Sequence, residues 1–104
     1  MARIIVERNF DTPQSDADMK AVADRERPCL AAYQVAWKRS IISADRKRMV
    51  CEFLAPDAES VREALRSGNI PFDRVWSSDV FVAEDYPEHI ARLDRVRAGA
   101  RSEQ

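Results

Sequence analysis

Residues 35–54 read VAWKRSIISADRKRMVCEFL, and the fold turns on how this stretch is divided. Two runs rich in β-branched and aromatic residues, Val35 to Ser43 and Arg48 to Leu54, flank the short polar segment Ala44-Asp45-Arg46-Lys47. Strand-forming runs separated by a few turn-forming residues predict a β-hairpin. A turn centred on Asp45-Arg46 sets Arg39 opposite Glu52 and Ser40 opposite Cys51. Strict alternation would then place Val35, Trp37, Ile41, Val50 and Leu54 on the face that carries Arg39.

Working outward, Arg3 to Asn9 predicts a strand through Ile4, Ile5 and Val6, closed by Asp11-Thr12-Pro13. Ser15 or Asp16 can cap a helix, and Met19, Val22, Ala23, Leu30 and Tyr33 recur at helical spacing. Pro28 interrupts that spacing, so the helix is expected to reach about Arg27, with Cys29 to Tyr33 a bent continuation or a separate turn. Beyond the hairpin, Asp57 caps a second helix to Arg66, ended by Ser67-Gly68-Asn69 with the glycine at the positive-φ position. Arg74 to Val82 predicts a fourth strand. The order is β-α-β-β-α-β, the ferredoxin-like α+β arrangement, with a four-stranded antiparallel sheet. Helices on one face of such a sheet leave the other face needing cover, which homodimerisation supplies. Residues 1–82 form this domain. Residues 83–104 are a C-terminal extension, with a short amphipathic helix over Pro87 to Val96 and a frayed end.

The composition narrows the function classes. A chain of 104 residues, 45% hydrophobic and 34% charged, suits one globular domain, and its core leaves no room for a large internal ligand chamber. A net charge of −1 argues against a dedicated nucleic-acid or anionic-membrane partner. No apolar run approaches the ~20 residues of a membrane span, and the amino terminus is not a signal peptide. A cytoplasmic location follows, where the two cysteines, Cys29 and Cys51, stay reduced. The single histidine, His89, excludes multi-histidine zinc motifs within one chain.

Several residues could carry chemistry. Arg39 and Glu52 form a cross-strand ion pair, and Glu7 on the first strand could join them. Such a pair is either structural, at a sheet edge or dimer seam, or the polar centre of an apolar cavity in which Arg39 holds an anion and a carboxylate acts as base. Cys51 is a buried, inert thiol, a metal ligand or a nucleophile, and no histidine lies nearby in sequence to serve as its base. Trp37, Trp76, Phe53 and Tyr33 belong to a core, an interface or an aromatic pocket. Arg46-Lys47-Arg48 is a solvated loop.

The linked pattern Trp37-x-x-Ser40, Asp45, Cys51-x-Phe53-x-Ala55-Pro56 resembles the central signature of a family of small bacterial proteins of unknown function. The structurally known type of that family is a nickel-binding protein with a dimeric ferredoxin-like fold. Val6-Glu7-Arg8-x-Phe10, Val61-Arg62-Glu63 and Ile70-Pro71-x-Asp73-Arg74-Val75 continue the resemblance, which spans residues 3 to 82. It implies a dimeric α+β barrel and a transition metal such as nickel as the cofactor. Members of that family usually carry a histidine where this chain has Arg39 and another where it has Ala64. A guanidinium is always protonated and cannot ligate. The donors left for a metal are Cys51, Asp45, Glu7 and Glu52.

The expected function is that of a small homodimeric binding protein. It would hold a small anionic molecule through Trp37, Arg39 and Glu52, or a metal through the donors just named. The alternative is a cofactor-independent isomerase, cyclase or oxygenase, with Glu52 or Glu7 as base and Arg39 as oxyanion stabiliser. A third reading is a partner protein docking through residues 83 to 104.

Overall fold

A computed structural model describes residues 1–88. Its elements follow the expected order: β1 (Ala2–Asn9), α1 (Asp16–Ala32), β2 (Ala36–Ile42), β3 (Arg48–Ala55), α2 (Ala58–Ser67) and β4 (Arg74–Ser78). A 3-10 turn, Ala83–Asp85, comes after β4. The helix expected over Pro87 to Val96 falls, beyond its first two residues, outside the described range, as does His89. The strands form one antiparallel sheet in the order β2-β3-β1-β4.

Alternation decides what each face carries. Ile4, Val6 and Arg8 of β1 and Met49, Cys51, Phe53 and Ala55 of β3 are all buried on the face covered by the helices. Val61, Ala64 and Leu65 of α2 close over them, and Phe53, Ile4, Leu65, Val6 and Val61 are the largest fully buried side chains. Full burial of such side chains is worth about 1.5–3 kcal/mol each, so the core is centred between α2 and the β1–β3 pair. The opposite face carries Ile5, Ile41, Val50, Leu54 and Trp76 among charged residues.

α1 begins in a capping box. The Ser15 hydroxyl accepts from the Asp18 N–H at 3.0 Å, and the Asp18 carboxylate accepts from the Ser15 N–H at 2.9 Å. The helix runs through Pro28 to Ala32 in one piece, where the sequence predicts an end near Arg27. A proline forfeits one helical hydrogen bond and crowds the carbonyl four residues back. Here Leu30, about four turns into the helix and only 8% exposed, anchors the far side of the interruption. The Leu30 carbonyl also accepts from the Tyr33 and Val35 N–H groups, which fixes the entry into β2.

Three local details depart from the sequence reading. Gly68 has φ −95°, and the left-handed residue is Asn69, at φ 53°. The glycine is needed for space instead: a Cβ there would sit 2.9 Å from Cys29 Sγ and 3.0 Å from Ile70 Cδ1, where the two helices meet. The fourth strand stops at Ser78, leaving Val80, Phe81 and Val82 outside the ladder and exposed. Arg46, expected in a solvated loop, adopts φ 61° and ties the hairpin to the start of α1. Its guanidinium donates to the Gln14 carbonyl and pairs with Asp16 at 2.6 Å.

Candidate functional site: a cavity between the first helix and the sheet

The hairpin register matches the sequence reading for Arg39 opposite Glu52 and Ser40 opposite Cys51. Between Trp37 and Arg39 the register shifts: Trp37 faces Phe53 while Arg39 faces the next residue, Glu52. Lys38 is therefore the extra residue of a β-bulge, and a bulge re-aims the side chains on one side of it. Trp37 consequently joins the helix-covered face with Phe53, and Val35 is buried in the core. Ile41, Val50 and Leu54 remain on the Arg39 face, as expected.

This shift separates the residues that the sequence grouped. On the open face, Glu52 takes Arg3 at 2.8 Å and Arg39 at 3.3 Å. The Arg3 contact foremost holds the Glu52 carboxyl below the usual glutamate range, with Arg39 adding to it. Glu7 does not join this group. It accepts a hydrogen bond from Trp76 Nε1 at 2.8 Å, further along the same face. Asp45 sits in the hairpin turn, accepting from the Ser43 hydroxyl at 2.6 Å and the Lys47 N–H at 3.1 Å. The Ser43 hydroxyl is the main reason its carboxyl titrates low.

Cys51 lies on the other side of the sheet. Its thiol is buried and accepts from the Ser40 hydroxyl at 3.1 Å, which in turn accepts from Trp37 Nε1 at 2.9 Å. Burial pushes the thiol up, against the opposing pull of the Arg8 charge and the Ser40 hydroxyl. The donors expected for a metal thus divide between two faces and a turn. Ala64 is buried on the inward side of α2 while Arg39 is on the open face, so the two positions of the missing histidines also lie on opposite sides. Among the described residues no group of three or more histidine, cysteine or acidic side chains could hold a metal ion. The residues present do not fit nickel within this chain.

The cavity is elsewhere. Between α1 and the β2–β3 half of the sheet lies a partly open space of about 680 Å³, within the range of small-molecule sites. A chain of this length was expected to have no such chamber. It arises because small side chains face each other: Ala23 and Ala31 on α1, Ser40 and Cys51 on the sheet. Met19, Leu30, Trp37 and Met49 make the rest of the wall largely apolar.

One charged pair lies in that wall. Arg8, on the inward face of β1, and Glu26, on the inward side of α1, are the two buried charged residues among those described. Arg8 Nη1 lies 2.6 Å from Glu26 Oε1, with side-chain exposures of 3% and 9%. The oxygen sits off the N–H directions, so the contact is an ion pair without hydrogen-bond geometry, and Arg8 Nε and Nη2 have no acceptor at all. Buried polar groups normally find partners. Neither residue was singled out in the sequence, although both positions could be read. Arg8 has the strand parity of Ile4 and Val6, and Glu26 falls between Val22 and Leu30 at four-residue spacing. The cavity does not reach Arg39, Glu52 or Glu7.

A four-stranded antiparallel sheet with two helices on one face and a ligand-sized space beneath the first helix defines a ferredoxin-like α+β domain. The chain belongs to the family of nickel-responsive proteins like SCO4226, which matches residues 5–77. In structure it is similar to SCO4226 of Streptomyces coelicolor A3(2), with a TM-score of 0.70 over 78% of this chain and 100% of that one. The two are 10% identical, so this likeness speaks for the fold alone. No curated protein matches the chain. Among the described residues no helix is long and apolar enough to cross a membrane.

Proposed function

We propose that the chain is a homodimeric binding protein of the cytoplasm that holds a small anionic molecule in the cavity beneath α1. The observation that carries this reading is Arg8: a buried guanidinium in the wall of a largely apolar cavity, with two nitrogens lacking an acceptor. A guanidinium cannot shed its charge when buried, so an anion is the ligand that improves its situation most.

The dimer rests on the open sheet face. Trp76, Ile41 and Val50 are 45%, 60% and 39% exposed there, and a sheet face with apolar residues of this size needs a partner. Arg39, Glu52 and Arg3 cross the same face and would lie in the seam, where a paired carboxylate and two guanidiniums fix how the copies align. Trp37 belongs to the ligand cavity and the Arg39–Glu52 pair to the interface. The nickel response of the family is not assigned to a donor set within this chain.

Native mass spectrometry of the purified protein, with metal analysis of the same sample, tests both parts. A dimer that releases a small organic acid on denaturation, and becomes monomeric in Ile41→Asp, is the expected outcome. A dimer carrying stoichiometric nickel would overturn the anion reading. A wild-type monomer at tens of micromolar would overturn the pairing.

A further inference from the structure

Resting on that reading, we infer that the ligand is a monocarboxylic acid with an apolar or aromatic body, gripped by the free edge of Arg8, with Glu26 as its built-in competitor. The geometry of the guanidinium carries the argument. Arg8 presents one nitrogen, Nη1, to Glu26. The two nitrogens without an acceptor, Nε and Nη2, form the opposite edge, whose N–H bonds run parallel. Two parallel donors spaced as in guanidinium match the two oxygens of a carboxylate. A single carbonyl or hydroxyl satisfies one of them and leaves the other unpaired.

The rest of the cavity sets the body of the ligand. Leu30, Met49 and Trp37 offer apolar contact, and the hydrogen bonds of Ser40, Trp37 and Cys51 are spent on one another. A second acidic or strongly polar group would therefore find no dedicated donor in the deep wall. Lys20 and Arg27 border the cavity, but both are already paired with Asp24, at 2.8 and 2.9 Å. The two cations share one carboxylate, so the mouth keeps about one net positive charge, which attracts an anion without gripping it in the deep wall.

Charge balance gives Glu26 its part. Arg8 and Glu26 together are neutral, so an entering carboxylate places two negative charges on one guanidinium. Such a site holds the acid less tightly than one without Glu26, because like charges sharing a buried site repel. Glu26 keeps Arg8 neutralised while the cavity is empty and weakens retention of the acid once bound. Both unpartnered nitrogens are shielded from solvent, so seating the acid requires the guanidinium to turn toward the cavity.

Isothermal titration calorimetry of the full chain with 3-phenylpropanoate and with its neutral amide, 3-phenylpropanamide, tests this. Trp37 fluorescence in a Trp76→Phe background reports seating in the cavity. The acid is expected to bind at least tenfold tighter than the amide. Arg8→Lys, which keeps the charge opposite Glu26 but loses the fork, should abolish most of that preference. Glu26→Gln should tighten the acid about tenfold and leave the amide unchanged. Equal binding of acid and amide, both seen by Trp37, would overturn the carboxylate assignment while leaving a cavity that binds ligands. Binding of neither, with Trp37 silent, would overturn the cavity reading itself and return the Arg8 edge to buried water. Acid binding unaffected by Arg8→Lys would overturn the role of the fork. The comparison of acid with amide on the unmodified chain keeps the test valid should either variant fail to fold.

Discussion

Replacing the Arg8–Glu26 pair by apolar residues should stabilise this protein, although replacing either member alone should damage it badly. Removing one partner of a buried ion pair strands the other charge, which costs about 3–5 kcal/mol. Arg8→Met leaves Glu26 at 9% side-chain exposure with no cation, and Glu26→Leu leaves Arg8 at 3% with no anion. The double variant removes both charges. It also removes two donors with no acceptor in this structure, each a deficit of roughly 1–3 kcal/mol. Apolar replacements of similar volume then extend the packing of Leu30 and Met49, and such swaps have stabilised proteins by about 1–4 kcal/mol.

The assay is a double-mutant cycle by urea denaturation, followed by far-ultraviolet circular dichroism. Urea is chosen because guanidinium chloride would screen the charges under test. Each variant is measured at two protein concentrations, since association shifts apparent stability by mass action. The expected pattern is two single variants each less stable by about 3 kcal/mol or more, and a double variant at or above wild type. Losses that simply add in the double variant would refute the reasoning. They would mean that the two side chains are not coupled and that each is held by other partners, such as ordered water at Nε and Nη2. The expected pattern would mean that the chain retains a pair that stability does not require, which is what a binding group looks like.

Gly68→Ala should cost about 1–3 kcal/mol, since its Cβ meets Cys29 Sγ at 2.9 Å, and adding Cys29→Ala should recover part of the loss, read by thermal unfolding. Cys51 should react with iodoacetamide far more slowly than an exposed thiol at pH 8. Ser40→Ala should move the alkylation midpoint to still higher pH, because the hydroxyl that donates to the thiolate is gone. Acid stability has a definite sign. Asp18, Asp45, Asp57 and Glu52 titrate low in the folded chain, first through the Ser15 N–H, the Ser43 hydroxyl, the Ser60 N–H and Arg3 respectively. Their contribution is complete above the ordinary values of 3.8 and 4.5 and is lost as pH falls through the lowered ones. Urea midpoints should therefore fall below about pH 4.5, with a shallower fall in Glu52→Gln.

The fold was legible because its signals are local. Strand runs, the Ser15 and Asp57 caps and the short hairpin each dictate one element, and β-α-β-β-α-β follows from their order. The pairing of Arg39 with Glu52 was legible too, since a hairpin turn fixes the register nearest to it. The reading failed where one residue alters a count. Lys38 bulges, and every side chain before it changes face, so Trp37 left the company of Arg39. Nothing in the string KRS marks that bulge, which depends on how β2 bends over β3. Pro28 misled in the opposite direction: a local breaker was overruled by Leu30, whose burial depends on the sheet beneath it. Those are tertiary effects, and they decide where the cavity lies.

The two charged pairs show why the visible one drew attention. Arg39 and Glu52 lie in a hairpin, where spacing announces the contact. Arg8 and Glu26 are 18 residues apart on different elements, and their meeting follows only when α1 is laid across the strands. Yet burial ranks them the other way. Arg39 is 68% exposed, where an ion pair is worth little and is screened by salt, while Arg8 is sealed in a wall with half its donors idle. In the proposed dimer, the exposed pair on the sheet face contributes alignment and loses little if the copies separate. A buried guanidinium short of acceptors contributes strain to the empty protein and affinity to the filled one. The cavity, opened by the small side chains of Ala23 and Ala31 and bordered by Arg8, is where the proposed selectivity would reside, and exchanging Ala23 for leucine should close it. Ala23→Leu is expected to leave the oligomeric state unchanged and to eliminate acid binding in the same calorimetric titration. Undiminished binding by that variant would place the ligand outside the space beneath α1.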